Sequence, residues 1–155
     1  MEYTFTYIPK NIKLYTPEKP GPLSSLFNSG DIVRMVNPDF HDENISINQS
    51  GKNRVTENDI KEYKASLDRN PNKPIPAFRN VSVKFIKIGK EKNKTAVEHI
   101  YQMKGNIPGI IRQVFFSHKN RGFIITCGTA IERFQLTNTT VFDPLLNSMV
   151  FMGDN

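Results

Sequence analysis

The chain has no tryptophan and a single cysteine, Cys127. One cysteine excludes an intrachain disulfide and any multi-cysteine metal site, and it leaves the redox compartment open. No apolar run approaches the ~20 residues needed to span a bilayer. No secretory leader opens the chain either, because Met1-Glu-Tyr-Thr-Phe5 runs straight into a strand-like alternation. A native start at Met1 implies a cytoplasmic protein, whereas a leader removed ahead of it implies the envelope or a lumen. No pair of carboxylates and no Ser-His-Asp order stands out. Gly105-Asn-Ile-Pro-Gly109 lacks the strand-to-helix context that phosphate binding requires. Internal repeats and low-complexity tails are also missing.

What is present fits one domain over residues 1–155, long enough at 17.7 kDa to bury a proper core. The net charge of +6 leaves room for an acidic partner. Its basic residues are spread thinly, apart from Lys87, Lys90, Lys92 and Lys94 in one presumed hairpin. Nucleic-acid binding would want a compact basic face interleaved with exposed aromatics, and most aromatics here sit at core-like positions. Nucleic acid is therefore not an expected partner.

Tyr3-Thr-Phe-Thr-Tyr-Ile8 alternates as a half-buried strand ended by Pro9. Residues 16–30 hold Pro17, Pro20, Gly21, Pro22 and Gly30 and form an irregular connection. Asp31–Val36 and Glu43–Ile47 are the next strands. Thr56-Glu-Asn-Asp59 is a capping-box variant, and Ile60, Tyr63 and Leu67 follow at helical spacing, which predicts a helix over 57–69. Val81, Val83 and Phe85 alternate before the phase slips to Ile86 and Ile88, which suggests a bulge. A charged tip at Gly89–Lys94 leads into a strand at Thr95–Lys104. Ile110–Ser117 and Phe123–Cys127 form a further hairpin across His118–Gly122. Thr140-Val-Phe-Asp143 resembles a second capping box, and Phe142, Leu145, Leu146 and Met149 present one apolar stripe on a closing helix. Strands, helix, antiparallel strands and helix in that order predict an α+β domain with a central antiparallel sheet.

Few of the candidate chemical groups escape a structural reading. His41-Asp42-Glu43 is the densest cluster of potential metal ligands, a weak divalent-cation candidate. Contiguous side chains in extended chain alternate in direction, so a solvated polar turn is the favoured reading. His99 lies between Val97 and Tyr101 on the apolar side of its strand, as a hydrogen-bonded core histidine does. Direct pairing across residues 119–122 puts His118 opposite Phe123, roughly 13 Å along the strand from Cys127, too far for a Cys–His dyad. Cys127 itself, in Phe-Ile-Ile-Thr-Cys, behaves as a small buried hydrophobe. The better functional candidates are surfaces: Leu23, Leu26 and Phe27 in the Pro-rich segment, and the basic tip Lys87–Lys94, which would steer an acidic partner.

Three segments carry a resemblance. They are the opening Phe5-Thr-Tyr-Ile-Pro9, the hairpin Gln113-Val-Phe-Phe-Ser-His-Lys-Asn-Arg-Gly-Phe-Ile-Ile-Thr-Cys127-Gly-Thr-Ala130, and the closing Phe142-Asp-Pro-Leu-Leu-Asn-Ser148-Met-Val-Phe151. In order and spacing they resemble the PsbP/DcrB-like superfamily, which shares its fold with the Ran-binding nuclear import factor. The chain departs from that pattern in lacking the tryptophan often found after the opening strand, and in the proline content of Tyr15–Gly30. The resemblance implies an α/β/α sandwich. It also implies a non-enzymatic role: members are extrinsic subunits or assembly factors of photosynthetic complexes, envelope lipoproteins, small-GTPase-binding factors, or chaperones of secreted effectors. The expectation is a protein-binding or assembly module without a cofactor, exported or envelope-associated, with another protein as partner. A cytoplasmic chaperone or adaptor of the same fold is the alternative, and a small hydrolase using His41, Asp42 or His99 is the third.

Overall fold

The computed structural model describes residues 3–5, 13–15, 31–37, 39–40, 43–72, 78–103 and 109–153, with side chains from residue 36 onward. Strands β1 (Tyr3–Phe5), β2 (Lys13–Tyr15), β3 (Asp31–Val36) and β4 (Asn44–Gln49) precede helix α1 (Glu57–Arg69). Four longer strands follow: β5 (Phe78–Ile88), β6 (Lys94–Met103), β7 (Ile110–His118) and β8 (Arg121–Thr129). A helical stretch contains α2 (Phe134–Thr137) and α3 (Asp143–Ser148), and β9 (Met149–Phe151) comes last. Seven strands form an antiparallel sheet in the order β2-β3-β4-β8-β7-β6-β5, while β1 pairs with β9. This is an α+β fold with helices on both faces of the sheet.

Helix α1 begins where its chemistry says it should. The Asp59 amide donates to Thr56 Oγ1 at 3.3 Å, and the Thr56 amide donates to Asp59 Oδ2 at 2.8 Å. Two backbone donors that no helical carbonyl can reach are thus satisfied reciprocally. Ile60 and Leu67 are buried against the sheet together with Val97. Tyr63 tilts onto Phe115 with ring centroids 4.6 Å apart. The opposite sheet face carries Ile45, Ile47, Val114, Phe116, Ile125 and Cys127 against Val141, Phe142, Leu145 and Leu146 of the C-terminal helical stretch. Alternation along each strand divides one row of apolar residues between these two layers.

Four sequence-level expectations need correction. The β7–β8 hairpin turns on two residues, Lys119 and Asn120, with φ of 49° and 58°, so His118 faces Arg121 and Phe116 faces Phe123. Positive φ at both central residues matches the twist of the flanking strands, which a four-residue link does not require. The irregularity in β5 falls between Asn80 and Ser82, not at Phe85–Ile86. Phe85 and Ile86 face opposite sides of a sheet that carries a helical layer on each, so adjacent apolar residues need no bulge there. Thr140 is not an N-cap. Its hydroxyl donates to the Leu136 carbonyl at 2.8 Å from inside a π-helical turn, Asn138–Phe142. A mid-helix threonine satisfies itself this way. Pro144 follows that turn; it has no amide to donate to the fourth residue back and its ring crowds that carbonyl, strain a π-turn relieves. Finally, the closing helix stops at Ser148, and residues 149–151 extend to pair with β1, Tyr3 opposite Phe151. A pairing partner from the far end of the chain overrides the local helical periodicity.

Candidate binding surface

Buried Glu98, Arg112 and Glu43 belong to two clusters that join the sheet to the C-terminal helices. Glu98 and Arg112 occupy core-facing positions on neighbouring strands, and Arg112 reaches Glu98 Oε2 from both Nε and Nη2 at 2.6 Å. Arg112 Nη1 also donates to Asn138 Oδ1 and Asp143 Oδ1, each at 2.6 Å. Lys84 Nζ stands 3.3 Å from Glu98 Oε1. Burial works against the Arg112 charge, but Glu98 and Asp143 outweigh it, so its pKa is held above the ordinary value. In the second cluster Glu43 accepts from Asn37 Nδ2 at 3.1 Å and from the Thr137 hydroxyl at 3.0 Å. Arg133 Nε lies 3.8 Å from Glu43 Oε2.

His99 is on the α1 side of the sheet, the face opposite Glu43. Its Nε2–H donates to Asn80 Oδ1 at 3.1 Å, and Nδ1 is buried with no hydrogen-bond partner among the described residues. Burial lowers its pKa from 6.5. The unfolded chain therefore takes up the proton first as pH falls. Stability from this group is complete above 6.5 and declines below it, by at most about 1.4 kcal/mol per pH unit until the folded-state pKa is passed. In urea titrations at several pH values, His99→Gln is expected to flatten that slope relative to the native chain. Equal slopes would refute a neutral buried His99. Cys127 is fully buried and its thiol is pushed up to about 12, chiefly by burial, so it is no nucleophile at neutral pH.

Beside α1 the sheet is incompletely covered. A pocket of about 390 Å³ opens between α1 and the β7–β8 hairpin. Val55, Ile60, Tyr63, Phe115 and Ile124 supply its apolar lining, and Lys52, Asp59 and Glu62 its polar one. Burial raises the Tyr63 phenol to about 12, so it stays protonated. Lys52 bonds Asp59 at 2.6 Å, and with the Thr56 hydroxyl and amide it holds that carboxyl well below the usual range. Gly122 lets the hairpin approach closely: a Cβ there would meet Val55 Cγ2 at 2.8 Å and Ser50 Cβ at 3.1 Å. Backbone bonds from Ser50 N to Gly122 O and Val55 N to Asn120 O, both 2.8 Å, fix the pocket wall.

Of the sequence-derived site residues, Glu43 and the four lysines of the basic tip are among those described. Leu23, Leu26, Phe27, His41 and Asp42 lie outside the described residues. Glu43 is buried in its own hydrogen bonds rather than displayed on a loop. Of the basic tip, Lys94 is buried with its ammonium 5.4 Å from the Phe151 ring centroid, and Lys92 bonds Asn147. Lys87 donates to Thr95 Oγ1 at 2.7 Å, and Lys90 is exposed. The tip docks on the end of α3 through Gly89 N to Leu146 O at 3.0 Å and Lys90 N to Met149 O at 2.8 Å. The Glu98–Arg112 pair and the pocket were missed by sequence reasoning. The pair did leave a signal, since each charge interrupts an alternating apolar row on adjacent strands.

Among solved structures, the chain is similar to the cyanobacterial PsbP (CyanoP) of Synechocystis sp. PCC 6803. The identity is 15% and the TM-score 0.63, over 96% of this chain and 86% of that one. The fold is PsbP-like. A protein of unknown function and putative regulator, PA94 from Pseudomonas aeruginosa, is similar at 17% identity and TM-score 0.52, over 94% and 85% of the two chains. A Bacteroides thetaiotaomicron VPI-5482 protein matches at 12% identity and TM-score 0.62 over 98% of this chain, which spans 46% of that one. No protein-family profile matches, and no curated protein does. The resemblance carried by the opening strand, the hairpin and the closing segment therefore holds for a PsbP/DcrB-like fold, and fold does not select a partner. Among the described residues no helix is long and apolar enough to cross a membrane.

Proposed function

We propose that this PsbP/DcrB-like domain is a non-enzymatic protein-binding or assembly module, and that the pocket beside α1 receives an apolar side chain of its partner. The observation that carries this reading is the pocket itself, apolar on the sheet side and ringed by Lys52, Asp59 and Glu62. That pairing of a desolvated socket with a polar rim suits an aromatic or aliphatic anchor. The absence of enzymatic activity is argued from occupancy: Glu98, Arg112 and Glu43 are committed to structural pairs, and the Cys127 thiol is held protonated.

A photo-crosslinking residue at position 52 tests this in the native host. A discrete adduct with one protein is expected, lost when Ile124→Trp fills the pocket and retained when exposed Leu136 is changed to Ser. Crosslinking that ignores Ile124→Trp, or that is equally strong from position 136, would overturn the proposal. An exported or envelope-associated location is part of the same proposal, and fractionation of cells expressing the native gene tests it separately from binding.

A further inference from the structure

We infer that the outer edge of β5 is a docking site for an acidic, extended segment of another protein, added as a further strand. Strand β5 ends the seven-strand order and pairs with β6 alone among the described residues. It is the longest strand of the sheet at 11 residues, so its outer side offers backbone donors and acceptors, apart from the Asn80 amide, which already donates to Asn72 Oδ1 at 2.9 Å. Its sequence, Phe78-Arg-Asn-Val-Ser-Val-Lys-Phe-Ile-Lys-Ile88, holds three cations and no acid. Lys84 shares Glu98 with Arg112, while Arg79 and Lys87 bond the neutral Gln102 and Thr95. The edge thus keeps its positive charge.

The two sides of this edge differ. Val83 and Phe85 face the α1 layer, where Phe85 stays 46% exposed with Lys64 Nζ 5.3 Å from its ring centroid. Arg79 and Lys84 face the other way, opposite Gln102 and Glu98 on β6. An added strand alternates its side chains in the same manner. Its apolar residues would cover Val83 and Phe85, and its carboxylates would meet Arg79 and Lys84. Like charges disfavour a second copy of this chain at the same edge, because pairing two β5 strands brings cations against cations. The inference stands on the edge and not on the pocket, so either can fail alone.

The test uses the intact chain and two synthetic peptides matched to β5 in length, one alternating valine with glutamate and one valine with lysine. Fluorescence anisotropy is expected to show the glutamate peptide binding at least about fivefold more tightly at low salt, with the preference shrinking as salt rises. Amide shifts should map to β5. The Arg79→Glu/Lys84→Gln variant, its fold checked by thermal melting, should lose the preference; glutamine is used at 84 because of the nearby Glu98. Equal binding of both peptides, no binding of the glutamate peptide, shifts confined to the pocket, or self-association through β5 would each overturn the inference.

Discussion

Replacing Arg112 by methionine is expected to lower the unfolding free energy by about 3–5 kcal/mol, because it strands Glu98 as a buried carboxylate. Glu98 is 2% exposed, and Arg112 supplies two of its contacts at 2.6 Å. The loss should fall toward the lower end of that range, since Lys84 still reaches Oε1 at 3.3 Å. The cost lies in the unpaired charge more than in the pair. Arg112→Met combined with Glu98→Leu should therefore be more stable than Arg112→Met alone, although one further residue has been changed. Urea unfolding of the native chain, both single variants and the double variant measures this directly. A double variant no better than the single would mean that Arg112 acts by packing and by its bonds to Asn138 and Asp143.

Phe142→Ala should cost a comparable ~3–5 kcal/mol, from lost burial and the cavity left behind. Phe142, at the end of the π-helical turn ahead of α3, is fully buried in the apolar cluster that this helical stretch forms with the sheet. Leu136, in the same helical stretch but 65% exposed, serves as the internal control, and its change to alanine should stay within about 0.5 kcal/mol. Cys127 belongs to the same apolar cluster as Phe142 and provides a second readout. Its alkylation rate should rise in Phe142→Ala by about tenfold for each 1.4 kcal/mol of stability lost, where opening is rapid and global, and change little in Leu136→Ala. Equal effects of the two substitutions would place the helical layer elsewhere.

The limits of sequence reading follow from the range of the forces involved. Helix α1 was legible from end to end, since Thr56 and Asp59 cap it through contacts three residues apart and Ile60, Tyr63 and Leu67 repeat every turn. Strands β6, β7 and β8 were legible for the same reason, with the alternation of Val97, His99 and Tyr101 placing His99 inside. The turn at Lys119–Asn120 is not legible in the sequence, because nothing in the two side chains demands positive φ until the register of β7 and β8 is set. Lys94 has the sequence context of a steering charge, yet the fold lays its ammonium over Phe151, a residue 57 positions away.

What the sequence determined by itself is helix α1, strands β1 and β3 to β8, their apolar faces and the inert character of Cys127. Patterns of period 2 and 3.6, and the caps, are written by near neighbours. Tertiary structure alone decided which charges meet: Glu98 with Arg112 and Asp143, and Glu43 with Asn37 and Thr137. It also decided that β5 closes one edge of the sheet, that residues 149–151 leave the helix to pair with β1, and that α1 covers only part of its face. Those outcomes depend on strand order and register, which bring together residues that no local pattern relates. The pocket is the gap they leave.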